Sequence, residues 1–103
     1  MSWHWREQER LRELYLEALA ELGQLYELLQ QDKLASGAYQ KLLSLDPCRE
    51  NVCYALMQLY LRQGEHAAAL ARYQQLVKDL ASELNVSPGE KIQALHQTIL
   101  RNH

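Results

Sequence analysis

The chain has 103 residues, of which 48% are hydrophobic and 23% charged, and its net charge is −2 at pH 7. That length suits one domain around one core, residues 1–103 throughout, and the apolar content excludes intrinsic disorder. Eleven basic side chains against 13 acidic ones, with no strongly basic window, argue against direct nucleic-acid binding.

Four glycines, two prolines and few β-branched residues favour helices over short strands. Residues Arg6 to Gln30 read as one long amphipathic helix. Leu11, Leu14, Tyr15, Ala18, Leu19, Leu22, Leu25, Tyr26 and Leu29 recur at the three-and-four spacing of an inward face. Glu9, Glu13, Glu17 and Glu21 follow one another at intervals of four on another face. Like charges at that spacing repel by roughly 0.2–0.5 kcal/mol per pair. The ridge is either plain solvated surface or a meeting place for a basic partner. Trp3 and Trp5 precede the helix, and at least one is expected to fold back, because a large ring loses much by staying wet.

Asp32 can cap a second helix, Lys33 to Leu45, whose inward positions are Leu34, Ala35, Ala38, Tyr39, Leu42 and Leu45. Gly37 inside it marks either a close helix approach or simple tolerance. Asp46-Pro47 reads as the start of a third helix, with Asp as cap and Pro in the first turn. That helix runs to Gln63, where Gly64 closes it. It contains Val52 to Leu61, ten residues with Gln58 as the single polar side chain. A helix apolar on all sides is buried on all sides, and ten residues are too few for a bilayer, which takes about 20. This is therefore the expected centre of the fold.

A fourth helix spans His66 to Leu84, with Ala69, Leu70, Tyr73, Leu76, Val77, Leu80 and Leu84 inward. Ser87-Pro88-Gly89-Glu90 reads as a capping box that opens a fifth helix, which ends near Arg101 and buries Ile92, Leu95 and Ile99. Short turns between five helices predict antiparallel hairpins.

The chain also repeats itself. Leu22 and Leu56, Gln24 and Gln58, Leu25 and Leu59, and Tyr26 and Tyr60 each stand 34 residues apart. Ala35 and Ala69, Tyr39 and Tyr73, Gln40 and Gln74, and Leu42 and Leu76 share that offset. A helix–turn–helix period of about 34 residues is that of the tetratricopeptide repeat. Small Ala35 and Ala69 let paired helices approach, while Tyr26 and Tyr60 fill the space beside them. Leu22-Gly23-x-x-Tyr26, Ala35, Tyr39 and Pro47 match the repeat's pattern. The second unit departs from it, with Met57 at the small position and Ala81 at the proline position. The expected architecture is all-α: antiparallel helical hairpins forming two tetratricopeptide-like repeats, plus a closing C-terminal helix.

Nothing suggests catalysis, and no cofactor is implied. His4, His66, His96 and His103 are scattered outside any H-E-x-x-H spacing, and Cys48 and Cys53 lie five apart, away from zinc-ligand spacing. Cys53 suits the core. Cys48, placed in the first turn of helix three, could have its thiol pKa lowered by the helix N-terminus, which makes it the one candidate for a redox switch. There is no secretory pattern at the N-terminus, so a cytoplasmic protein with reduced thiols is expected, with no membrane contact. Recognition remains. In a tetratricopeptide hairpin the first helix lines the concave face, which places Glu17, Glu21 and Gln24 beside Asn51, Tyr54, Gln58 and Arg62. Tyr54 is either the anchor of a partner or a structural ring covered by helix five.

Several stretches carry a more specific likeness. Glu9-Arg10-Leu11-Arg12-Glu13-Leu14, Leu45-Asp46-Pro47-Cys48-Arg49-Glu50, Ala55-Leu56-Met57-Gln58-Leu59-Tyr60 and Gly64-Glu65-His66-Ala67-Ala68-Ala69-Leu70-Ala71-Arg72-Tyr73 contribute. The tail Leu84-Asn85-Val86-Ser87-Pro88-Gly89-Glu90 is the most distinctive, with Asn85 at a usual glycine. Together they resemble the bacterial transcriptional activator domain of antibiotic-regulatory-type transcription factors. The resemblance implies a non-enzymatic regulatory module that self-associates, or contacts RNA polymerase or other domains of the same polypeptide. It also implies a separate winged-helix domain for DNA. No strand or hairpin pattern precedes Arg6, so the expectation is a piece of a longer regulator or a stand-alone relative. The alternative is a peptide-binding tetratricopeptide adaptor unconnected with transcription.

Overall fold

The computed structural model describes residues 2–102, with side chains from residue 4 to residue 102. Five helices follow one another: α1 (Ser2–Leu28), α2 (Asp32–Leu45), α3 (Glu50–Arg62), α4 (His66–Glu83) and α5 (Glu90–Asn102). No strand occurs among the described residues. Each helix packs on the next, and α5 folds back to touch α3 as well as α4. The all-α fold, with stacked hairpins and a closing helix, is as the sequence predicts.

Two equivalent turns show how the repeat is built. α1 ends with Gln30 in the left-handed region (φ 58°), where the Gln31 amide donates to the Tyr26 carbonyl at 2.8 Å. Thirty-four residues on, Gly64 (φ 75°) ends α3, and the Glu65 amide donates to the Tyr60 carbonyl at 2.8 Å. Both are six-to-one closures that satisfy carbonyls left over at a helix end. Asn85 (φ 54°) also takes the left-handed conformation, as its place at a usual glycine predicts.

The core lies between the hairpins. Leu56, Met57, Leu59 and Cys53 of α3 are wholly buried, with Leu16 of α1, Ala35 and Leu42 of α2, Ala69 and Leu76 of α4, and Ile92 and Ile99 of α5 around them. Val52 to Leu61 is thus central. Two polar pairs lock α2 to α3 in antiparallel register: the Gln63 side-chain amide donates to Ser36 Oγ (3.0 Å), and that of Gln40 to the Tyr60 hydroxyl (2.7 Å).

Several local expectations fail for identifiable reasons. Helix three begins at Glu50, not Pro47. Asp46 instead closes α2, its amide donating to the Leu42 carbonyl, and its carboxylate receives the Arg49 guanidinium at 2.7 Å. Asp32 lies inside the first turn of α2 and makes no capping bond, the preceding Gln31 being the cap residue. No capping box forms at Ser87: α5 starts at Glu90, and Glu50 of α3 takes the Gly89 amide at 2.7 Å. Leu95 is only half-buried, Leu34, Leu45, Val77 and Leu84 are exposed, and Leu43 is buried though not expected to be.

The largest departure concerns α1. It begins at Ser2, and its 27 residues make it about 40 Å long against about 21 Å for the 14 of α2. Arg12 Nη2 donates to the carbonyl of Leu45 at the end of α2, so residues before Arg12 overhang. Trp5 rides on that overhang, 63% exposed, rather than folding back, and the Trp3 side chain lies outside the described ones. Leu16, Leu19 and Gly23 form the buried face of α1, whereas Leu11, Leu14, Tyr15, Leu22, Leu25 and Leu29 point to solvent.

Candidate functional site

α1 and α3 flank an open concavity of about 890 Å³ lined by Gln24, Glu27, Leu28, Gln30, Asp32 and Arg62. Its floor is an ion-pair chain joining the two hairpins. The Tyr39 hydroxyl donates to Glu27 Oε2 at 2.5 Å, and Arg62 Nη2 donates to Glu27 Oε1 at 3.2 Å. Arg62 Nε also faces Asp32 Oδ2 at 3.5 Å. Burial, then the bond to Glu27, pushes the Tyr39 pKa up, so the phenol stays protonated. Burial alone would lower the Arg62 pKa, but Asp32 and Glu27 together raise it. Exposed pairs of this kind contribute about 0–1 kcal/mol each. Their main effect here is to fix where Arg62 points.

The seven predicted groove residues divide three ways. Gln24 and Arg62 line this concavity. Asn51 and Tyr54 line a second one of about 280 Å³ with Glu50 and the first turn of α5, where the Lys91 ammonium stands 4.5 Å over the Tyr54 ring. Glu17, Glu21 and Gln58 are exposed and line neither concavity. Glu27 and Asp32 were not anticipated. Glu27 interrupts the polar-and-apolar rhythm of α1 one turn after Gly23, a signal that becomes readable only once Tyr39 is known to lie there.

The acidic ridge is partly neutralised. Arg49 Nη2 reaches Glu13 at 2.9 Å, and Arg12 lies 3.7 Å from both Glu9 and Glu13. Hydrogen bonding to Asp46 leads the rise in the Arg49 pKa, ahead of the charge of Glu13.

Neither cysteine is poised for chemistry. Cys48 sits in the turn before α3, not in its first turn, and its thiol donates to Glu83 Oε2 at 3.2 Å. Desolvation, then that carboxylate, pushes its pKa up to about 11, the reverse of the expected lowering. Burial pushes Cys53 up to about 12. Alkylation at pH 8 is therefore expected to be slower at Cys48 than at a free cysteine, and faster in Glu83→Gln, since only the thiolate reacts. Equal labelling rates in the two proteins, followed by mass spectrometry, would refute this. Among the described residues no group of three or more His, Cys, Asp or Glu is placed to hold a metal ion. No described helix is long and apolar enough to cross a membrane. His96 stacks on Tyr73 with ring centres 4.0 Å apart, which joins α5 to α4.

Stacked helical hairpins beside an open polar trough define a helical-repeat domain. The chain belongs to the bacterial transcriptional activator domain family, which it matches over residues 1–100. It is similar to the transcriptional regulatory protein MoaR1 of Mycobacterium bovis (strain BCG / Pasteur 1173P2), 34% identical over 87 residues. The protein of the same name from Mycobacterium tuberculosis (strain ATCC 25618 / H37Rv) matches equally. In each case the match covers 73% of this chain and 28% of the relative, so the chain spans under a third of those proteins.

Proposed function

We propose that this chain, as one domain, is a non-enzymatic protein–protein contact module of a bacterial transcription regulator. It associates with itself, or holds RNA polymerase or other regulatory domains of the same polypeptide, and DNA is read by a domain outside this chain. The observation that supports this most is the trough between α1 and α3, lined mainly by polar side chains with Arg62 oriented by Glu27 and Asp32. Such a surface is fixed in shape but wet, which suits recognition of another protein more than enclosure of a small substrate. In this reading Asn51 and Tyr54, in the second concavity beside α5, and the exposed Glu17, Glu21 and Gln58 are further contact residues outside the trough.

The membership in a regulator family sets the context, and the net charge of −2 argues that DNA is not the direct ligand. The test is capture of purified bacterial RNA polymerase, or of the remaining domains of the regulator, by the immobilised chain. Gln24→Ala and Arg62→Ala combined, both in the lining of the trough, are expected to weaken capture at least tenfold. Equal capture by both proteins would remove the groove from the reading. A salt-sensitive shift of duplex DNA by this chain would reassign DNA binding to it.

A further inference from the structure

A third concavity, of about 330 Å³, opens where Tyr60 of α3 faces Ala68, Ala71, Arg72 and Gln75 of α4. It shares no lining residue with the trough or with the concavity beside α5. The four α4 residues stand three or four apart along the chain and so lie on one face of that helix. Small Ala68 and Ala71 leave the depression open. Tyr60 and Arg72, both partly buried, supply its polar groups.

Both groups have hydrogen-bonding capacity to spare. Arg10, Arg12, Arg49 and Arg62 each stand against at least one carboxylate. Arg6 and Arg101 have none, but they are fully exposed near the ends of the fold. Arg72 is partly buried, yet it makes no ion pair and no side-chain hydrogen bond among the described residues. Its planar fork of five N–H donors is therefore unused. The Tyr60 hydroxyl accepts from the Gln40 amide, so its own hydrogen is left to donate. Packing does not call for the arginine either. At the same place in the first hairpin, 34 residues earlier, stands Ala38, which is 7% exposed.

We propose that this concavity is a carboxylate site, which takes an aspartate or glutamate side chain from an acidic segment of a protein partner. A guanidinium fork matches the two oxygens of a carboxylate, and the Tyr60 hydroxyl adds a further donor to the same group. Charge selects carboxylate over phosphate. Among the described lining residues Arg72 alone is charged, which balances one negative charge but not a doubly charged phosphate. Asp79, which accepts from the Gln75 side-chain amide at 3.1 Å, adds a negative charge nearby. The open shape suits a side chain presented by another protein more than the enclosure of a free acid. The inference rests on the contact-module reading for the source of the carboxylate. It shares no residue with the trough, so its failure would leave the capture test standing.

NMR of the arginine Nε–Hε groups in the full chain tests it, with the blocked tripeptide acetyl-alanyl-glutamyl-alanine amide as probe. The glutamate side chain is its only charge. The Arg72 signal is expected to shift and saturate, while those of Arg6 and Arg101 move little. Arg72→Gln, followed through the backbone amides of Ala68 and Ala71, should raise the dissociation constant at least tenfold with the unfolding midpoint near wild type. Tyr60→Phe should raise it at least threefold, through loss of one donor. Arg72→Lys, which keeps the charge and loses the fork, should fall between wild type and Arg72→Gln. An equal response to the glutaminyl analogue of the tripeptide, or one shared equally by Arg6 and Arg101, would overturn the proposal. Saturation by inorganic phosphate or by acetate at a lower concentration than the tripeptide needs would overturn the assignment to a protein side chain.

Discussion

Leu56→Ala should destabilise the chain by about 2–5 kcal/mol, the cost of removing a leucine side chain from a packed interior. Leu56 is wholly buried in α3, the helix that touches α2, α4 and α5. Three flanking helices cannot all relax inward to fill the space, so the upper half of that range is expected. Total stabilities of small domains are only about 5–15 kcal/mol, which makes this a large fraction. A urea titration measures it directly. An unchanged midpoint would mean that Val52 to Leu61 is not the centre of the fold.

Gly23→Ala should also destabilise, against the usual direction. In a helix interior, alanine is favoured over glycine by about 1 kcal/mol. A Cβ on Gly23 would stand 2.7 Å from Cδ1 and Cζ of Tyr39, and closer still to Cε1. The ring has no easy retreat: Tyr39 is 2% exposed, and its hydroxyl is held by Glu27, which also pairs with Arg62. Overpacking of this kind costs about 1–3 kcal/mol and should outweigh the helix preference. Gly37→Ala supplies the contrast. A Cβ there meets nothing within 4 Å, so the substitution should stabilise by about 0.5–1 kcal/mol. Thermal melts of the two variants should move in opposite directions. Stabilisation at both sites would show that the Tyr39 ring can yield.

These two glycines show where reading the sequence stops. Both stand inside amphipathic helices, and Gly37 looks the more exceptional. Only the position of Tyr39 makes Gly23 the close approach and leaves Gly37 simple tolerance. The same limit applies to Asp46-Pro47. Asp before Pro is a strong local start signal, yet here Asp46 ends α2 and anchors Arg49, because the chain must turn before α3 can lie antiparallel. The thiol of Cys48 follows from this. Displaced from the helix N-terminus and set beside Glu83, it shifts up instead of down.

The candidate site was legible only in part. Repeat register brought Gln24 and Arg62 to one side of the fold, where they share a trough, but it set Gln58, 34 residues after Gln24, beside them, and Gln58 lines neither concavity. It could not show that α5 turns Lys91 over Tyr54, or that Arg62 is held by Glu27 and Asp32. Those are meetings between residues far apart in sequence, and each depends on how one hairpin settles on the next.

By itself the sequence determined the all-α class, the five helices, the 34-residue repeat and the central place of Val52 to Leu61, because periodicity and burial are local properties of a patterned chain. The likeness to a regulator family was legible too, in motifs spread along its length. Tertiary structure alone decided which of two apolar faces of α1 enters the core. Leu16, Leu19 and Gly23 face α2, while Leu11, Leu22 and Leu25 face solvent, although both sets have helical spacing. Spacing shows that a helix has a face to bury; only a neighbour shows which face it is.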